Sequence, residues 1–172
     1  MSETCSSAGA LSAPERRRSR AQAESGGAKR ADAPLHLHSI RVYYEDTDAG
    51  GIVYHSNYLN FAERARTELV RELGISQRAL LEDGVGTAFA VRRAEMDFLR
   101  PAKLDDQLVV ETEILQVGGA SVELAQTIRR TDDRTEMVRI LVRLGYITLA
   151  GKPARIPAGI RAVFETWISE RR

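Results

Sequence analysis

Between a strand-like stretch and a helix-like one, the chain places Tyr44, Glu45, Asp46, Asp48, Gly50-Gly51 and His55 within twelve residues. Core building needs no such mixture. Junctions of this kind are where backbone amides and reactive side chains meet ligands. A carboxylate ahead of a helix start could attack an acyl carbonyl or activate a water. The unpaired amides and positive dipole end of the helix could hold the oxyanion that develops. Gly50-Gly51 lets the backbone come close to a ligand. An Asp is already ionised at neutral pH and needs only placement.

Other chemistries fit less well. Asp46-x-Asp48-x-Gly50 resembles the start of a calcium loop, but Gly50 and Asn57 stand where that loop needs oxygen ligands. The histidines are His36, His38 and His55, and a zinc site built from them would need acids as well. No Lys follows the glycines as in a phosphate loop, and there is no Gly-x-Ser-x-Gly elbow. An ordinary Asp/Gly turn is the remaining structural alternative. It leaves the crowding of acids and His55 beside a helix start unexplained.

The surrounding elements must position these groups. Ile40, Val42 and Tyr44 alternate with Ser39, Arg41 and Tyr43, which predicts a strand. Residues 57–73 predict a helix: Tyr58, Ala62, Ala65, Leu69 and Leu73 form one apolar stripe, Ser56 or Asn57 serves as N-cap, and Gly74 ends it. A short helix is expected over Ser76 to Glu82. Four strand-like segments follow. Ala88, Ala90, Ala94, Met96 and Phe98 are expected on one face of 87–99. Leu108, Val110, Thr112 and Ile114 share the next, Val122, Leu124 and Ile128 the third, and Val138, Ile140, Val142, Leu144 and Tyr146 a face of 136–149. Turns fall at Arg100-Pro101 with Asp105-Asp106, at Gly118-Gly119 and at Asp132-Asp133, and their hairpin-like spacing implies an antiparallel sheet. An amphipathic stretch from Ile160 to Ile168 closes the chain. The fold class is therefore α+β, with one long helix against one curved sheet.

Length and composition bound the rest. The 172 residues suit one domain, and a net charge of +1 argues against a nucleic-acid binder. The single cysteine, Cys5, excludes an intrachain disulfide framework. No apolar run reaches the ~20 residues of a membrane span. Residues 1–35 read as a disordered basic tail, with six basic residues against four acids and a run at Arg16-Arg17-Arg18-Ser19-Arg20. The folded domain is expected over 36–172.

Two blocks make the sequence recognisable. Arg41-Val42-Tyr43-Tyr44-Glu45-Asp46-Thr47-Asp48-Ala49-Gly50-Gly51-Ile52-Val53-Tyr54-His55-Ser56-Asn57-Tyr58 continues into Phe61-x-Glu63-Arg64-Ala65-Arg66-Thr67-Glu68. The second block is Phe89-x-Val91-Arg92-Arg93 with Arg100-Pro101-Ala102-x-Leu104-Asp105-Asp106. Together they closely resemble the Tol-Pal-associated (YbgC-type) acyl-CoA thioesterases of the 4-hydroxybenzoyl-CoA thioesterase family, from about Leu37 to Phe164. The resemblance implies a hotdog fold, a central helix wrapped by a five-stranded antiparallel sheet. It implies an acyl-CoA substrate, no metal or other cofactor, and a homodimer or homotetramer with sites at the dimer interface. Asp48 would be nucleophile or general base. The backbone amide at His55 would donate to the oxyanion, and the His55 and Tyr44 side chains would assist. Gly51, Asn57, Arg92 and Arg93 complete the expected substrate surround: Asn57 caps the helix and holds the loop, and the two arginines face CoA phosphates or serve as plain surface charge. Glu63 is expected to support an interface. A cytoplasmic location follows, with contact at the inner membrane, Tol-Pal proteins or acyl carrier protein as further expectations. The alternative function is a non-catalytic adaptor of the same fold.

Overall fold

The computed structural model describes residues 35–170. The expected tail, with Cys5 and its arginine run, lies outside the described residues. The order is β1 (His36–Arg41), a 3-10 turn (Tyr44–Asp46), α1 (Asn57–Glu72), α2 (Gln77–Glu82), β2 (Thr87–Phe98), β3 (Gln107–Val117), β4 (Ser121–Arg130), β5 (Glu136–Thr148) and α3 (Ala158–Ser169). The five strands form one antiparallel sheet in the order β1-β3-β4-β5-β2, with α1 against it: the hotdog architecture.

Helix α1 forms where its apolar stripe predicts. Tyr58, Phe61, Ala62, Ala65, Leu69 and Val70 are buried against Leu108, Val110 and Ile114 of β3, Leu124 and Ile128 of β4, and Ile140 and Val142 of β5. Gly74, at φ +76°, ends the helix. Its N–H donates to the Arg71 carbonyl at 2.9 Å, and Ile75 N–H reaches back to Val70 at 3.1 Å. This paired closure is a Schellman motif. Ser76 caps α2 by accepting from Ala79 N–H at 3.2 Å.

Three expectations are corrected. Strand β1 stops at Arg41, because the Asp46 carboxylate captures Tyr43 N–H at 2.8 Å and folds Tyr44–Asp46 into a 3-10 turn. The face assigned to β2 is wrong for its first half. A register shift between Val91 and Arg93 places Phe89 opposite Tyr146 and Val91 opposite Leu144, while Ala94, Met96 and Phe98 stay opposite Val142, Ile140 and Val138. One extra residue flips every side chain before it, so Phe89 and Val91, not Ala88 and Ala90, share the core face. Residues 99–106 are not a hairpin link: they carry the chain from the β2 edge across to β3.

The outer face of the sheet holds one buried acid, Glu111. Arg129 at 2.9 Å and Arg134 pair with it, and Arg129 also meets Glu136 at 2.6 Å. A carboxylate is tolerated there because both of its oxygens have cationic donors.

Candidate active site

The loop from Val42 to Ser56 is held by its backbone. Val42 N–H donates to Asp106 at 3.0 Å, and its carbonyl accepts from Asp105 N–H at 3.1 Å. The buried Asp46 organises the turn: its carboxylate takes Tyr43 N–H, and its carbonyl accepts from Tyr54 N–H at 2.8 Å and Asn57 Nδ2 at 3.0 Å. Thr47 bridges to Val53, and between them Asp48 opens a tight turn. Asp48 N–H donates to Ile52 at 2.9 Å, and Gly51 N–H to the Asp48 carbonyl at 3.0 Å. Gly51 sits at φ +72°, the left-handed region this turn demands.

Within the turn, Asp48 Oδ1 accepts from Gly50 N–H at 2.8 Å. A Cβ on residue 50 would lie 3.0 Å from that oxygen, so only glycine leaves the carboxylate its full room. Among the described residues no donor reaches Oδ2. One oxygen is therefore anchored and the other is available. The side chain is exposed on the single protomer.

Asp48 and His55 share one cleft of about 420 Å³ with Ile52, Val53, Tyr58, Phe98, Leu99, Arg100 and Pro101. The amides of Val53, Tyr54 and Asn57 are spent on internal carbonyls. Among the described residues no acceptor takes the His55 or Ser56 N–H, which lie just ahead of α1. The buried Tyr58 phenol braces the opposite wall by accepting from Ala102 N–H at 2.9 Å, and Ala102 in turn accepts from Val53 N–H at 2.8 Å. Burial pushes the Tyr58 phenol pKa up, so it stays neutral at physiological pH.

The other expected residues are dispersed. Asn57 does not cap α1: its Nδ2 holds the loop at Asp46, and its Oδ1 accepts from Asn60 Nδ2 at 3.0 Å. Ser56 is the N-cap by position and makes no capping bond with its side chain. Tyr44 is 81% exposed and lies outside the wall of this cleft. Arg92 and Arg93 are exposed on edge strand β2, away from the cleft, and Arg93 pairs with Glu95 at 2.7 Å. Tyr58, Phe98 and Arg100 line the cleft without having been singled out for it. Tyr58 reads as a stripe residue and Phe98 as a strand residue, while Arg100-Pro101 stood in a matching block as a turn. Among the described residues no three His, Cys, Asp or Glu side chains are grouped to hold a metal ion. No helix among them is long and apolar enough to cross a membrane.

A family model described as "Thioesterase superfamily" matches residues 50–137. The acyl-CoA thioesterase YbgC of Haemophilus influenzae is 44% identical over 126 residues, 73% of this chain and 90% of that protein. The acyl-CoA thioester hydrolase YbgC of Escherichia coli O6:H1 is 41% identical over 126 residues, 73% and 92% of the two chains. Among solved structures, a probable thioesterase from Bartonella henselae superposes with a TM-score of 0.67 at 38% identity, covering 72% of this chain and all of that one.

Proposed function

Because the chain belongs to the thioesterase superfamily, we propose that it hydrolyses acyl-CoA thioesters in the cleft between Asp48 and the start of α1. One observation carries this reading: Asp48, whose Oδ2 is unanchored, and His55, whose N–H is uncommitted, line the same cleft. The thioester carbonyl oxygen seats on the His55 N–H, and the carbonyl carbon faces the carboxylate. In one route Asp48 adds to that carbon and expels CoA thiolate, and water then cleaves the mixed anhydride. In the other, Asp48 takes a proton from a water that adds directly. Both end in free acid and CoA, with the proton passed to the thiolate or solvent.

The His55 side chain assists from the cleft wall, and Tyr44, exposed on the preceding turn, assists from outside it. Arg100, with Arg92 and Arg93 farther along β2, suits the CoA phosphates. The working unit is a homodimer joined along β2. This twelve-residue strand is a sheet edge with Val91 51% and Phe98 53% exposed, and such an edge calls for a partner. A second protomer there would also exclude water from Asp48. Association with Tol-Pal proteins or acyl carrier protein follows the family resemblance alone.

The decisive variant is Asp48→Asn, which keeps the shape and removes the charge. Thiol release from acyl-CoA is expected to fall by about 10²–10⁴-fold with an unchanged melting temperature. Turnover near wild type would sink the assignment. A wild type without turnover on short, aromatic and long acyl-CoAs would leave the adaptor reading instead.

A further inference from the structure

A second pocket lies between α1 and the sheet, and its composition is unusual. Its walls are largely apolar, formed by Leu69, Val70, Phe89, Ile114, Leu124 and Phe164 among others, yet Arg66 is built into them, with Glu63 and Gln77 also in the lining. Arg66 is only 6% exposed. It lies on the buried face of α1, flanking the apolar stripe one turn after Ala62, where packing alone would ask for an aliphatic residue. Burying a cation is costly unless it is paired and fully hydrogen-bonded. Two of its five donors are used: Nη1 donates to Gln126 Oε1 at 2.6 Å, and Nη2 pairs with Glu63. Gln126 is itself locked by Nε2 bonds to the Ala62 carbonyl at 2.9 Å and to Thr112 Oγ1 at 3.0 Å. The guanidinium is thus held rigidly with donors to spare. Glu63, its counter-ion, has a side chain 58% exposed and can swing outward.

The enclosed space is about 50 Å³, room for the last few atoms of a chain and not for a long one. The exposed residues of its lining are Glu63 on α1, Gln77 on α2 and Val91 on β2. Phe89 and Val91 border this pocket, and Phe98 borders the Asp48 cleft. In the β2-to-β2 dimer proposed above, antiparallel pairing centred on the strand would set the 89–91 end of one β2 beside the Phe98 end of the other, so that the pocket of one protomer would continue the cleft of its partner.

We infer that Arg66 selects acyl groups whose far end carries a hydrogen-bond acceptor, a carboxylate or a hydroxyl, over purely aliphatic ones of the same length. This rests on the thioesterase reading above and names its substrate class. The apolar walls take the methylene chain, and the guanidinium takes the terminal oxygen.

The test compares kcat/KM on length-matched pairs: butyryl- with succinyl-CoA, hexanoyl- with adipoyl- and 6-hydroxyhexanoyl-CoA, and octanoyl- with suberoyl-CoA. At the length that reaches Arg66, the acceptor-ended substrate is expected to win by about tenfold or more, the size of a charge-assisted hydrogen bond. In Arg66→Met that ratio should fall below one, and Arg66→Lys should restore part of it. Wild-type preference for the aliphatic member at every length overturns the inference, whether or not the variant folds. An unchanged ratio in a folded Arg66→Met overturns it too, leaving Arg66 a purely structural anchor. Absence of turnover on every substrate would fell the thioesterase reading itself, whereas turnover without the preference fells only this inference.

Discussion

The side-chain amide of Asn57 donates to the backbone carbonyl of Asp46 across 3.0 Å, fastening the first turn of α1 to the loop that carries Asp48. The uncommitted His55 and Ser56 amides and the Asp48 carboxylate belong to separate segments of backbone. This bond, with Tyr54 N–H on the same carbonyl, sets the distance between them. Replacing Asn57 by Ala should lower kcat by about tenfold, because small misplacements of reacting groups are costly. It should cost about 1 kcal/mol of stability. Paired kinetics and thermal melts check this, and an unaltered kcat would show that the tether is dispensable.

The two glycines of the turn should respond differently. Gly50→Ala puts a methyl 3.0 Å from Asp48 Oδ1 and must push the carboxylate by a few tenths of an ångström, so kcat should drop with little loss of stability. Gly51→Ala meets no atom within 4 Å but holds a residue at φ +72°, which costs about 1–2 kcal/mol in the left-handed region. Denaturant unfolding beside turnover separates the two. Equal stability losses would contradict this account.

Tyr58→Phe should weaken the cleft wall from behind. It leaves the buried Ala102 N–H without its acceptor, a penalty of about 1–3 kcal/mol. Hydrogen exchange at Ala102 should quicken in the variant. Protection equal to wild type would mean that another acceptor takes over.

Stability should also fall in mild acid. Burial lowers the His38 pKa, and His36 and Arg64 act in the same direction against the opposing Glu68 and Glu72. The folded state therefore favours the neutral ring. The unfolded chain binds the extra proton first, so stability rises with pH across this window. The contribution is complete above the ordinary value of 6.5 and is lost as pH falls through the lowered folded value. Melting temperature between pH 7.5 and 5 should decline less in His38→Gln than in wild type. Identical slopes would remove His38 as the cause.

Much of this fold is legible along the chain. The stripe from Tyr58 to Leu69 and the φ +76° demand at Gly74 place α1 within a residue of its ends. Alternation in β3, β4 and β5 picks out the buried faces, because their inward residues keep period 2 over most of their length. The loop of the site is equally visible as a cluster of acids and glycines before a helix.

What local sequence could not reveal depends on which distant segments meet. The shift at Val91 and Arg93 turns Phe89 inward through pairing with β5, more than fifty residues away. Arg66 looks like surface charge among Glu63, Arg64 and Glu68, and is buried only because Gln126 on β4 stands ready to receive it. Arg100 reaches the Asp48 cleft because residues 99–106 cross from the β2 edge toward β3. Periodicity and turn chemistry act through neighbours a few residues apart, so the sequence alone determined the elements and the loop of acids and glycines before α1. Long-range pairing and burial decided which side chains surround that loop and which cation is sealed into the core.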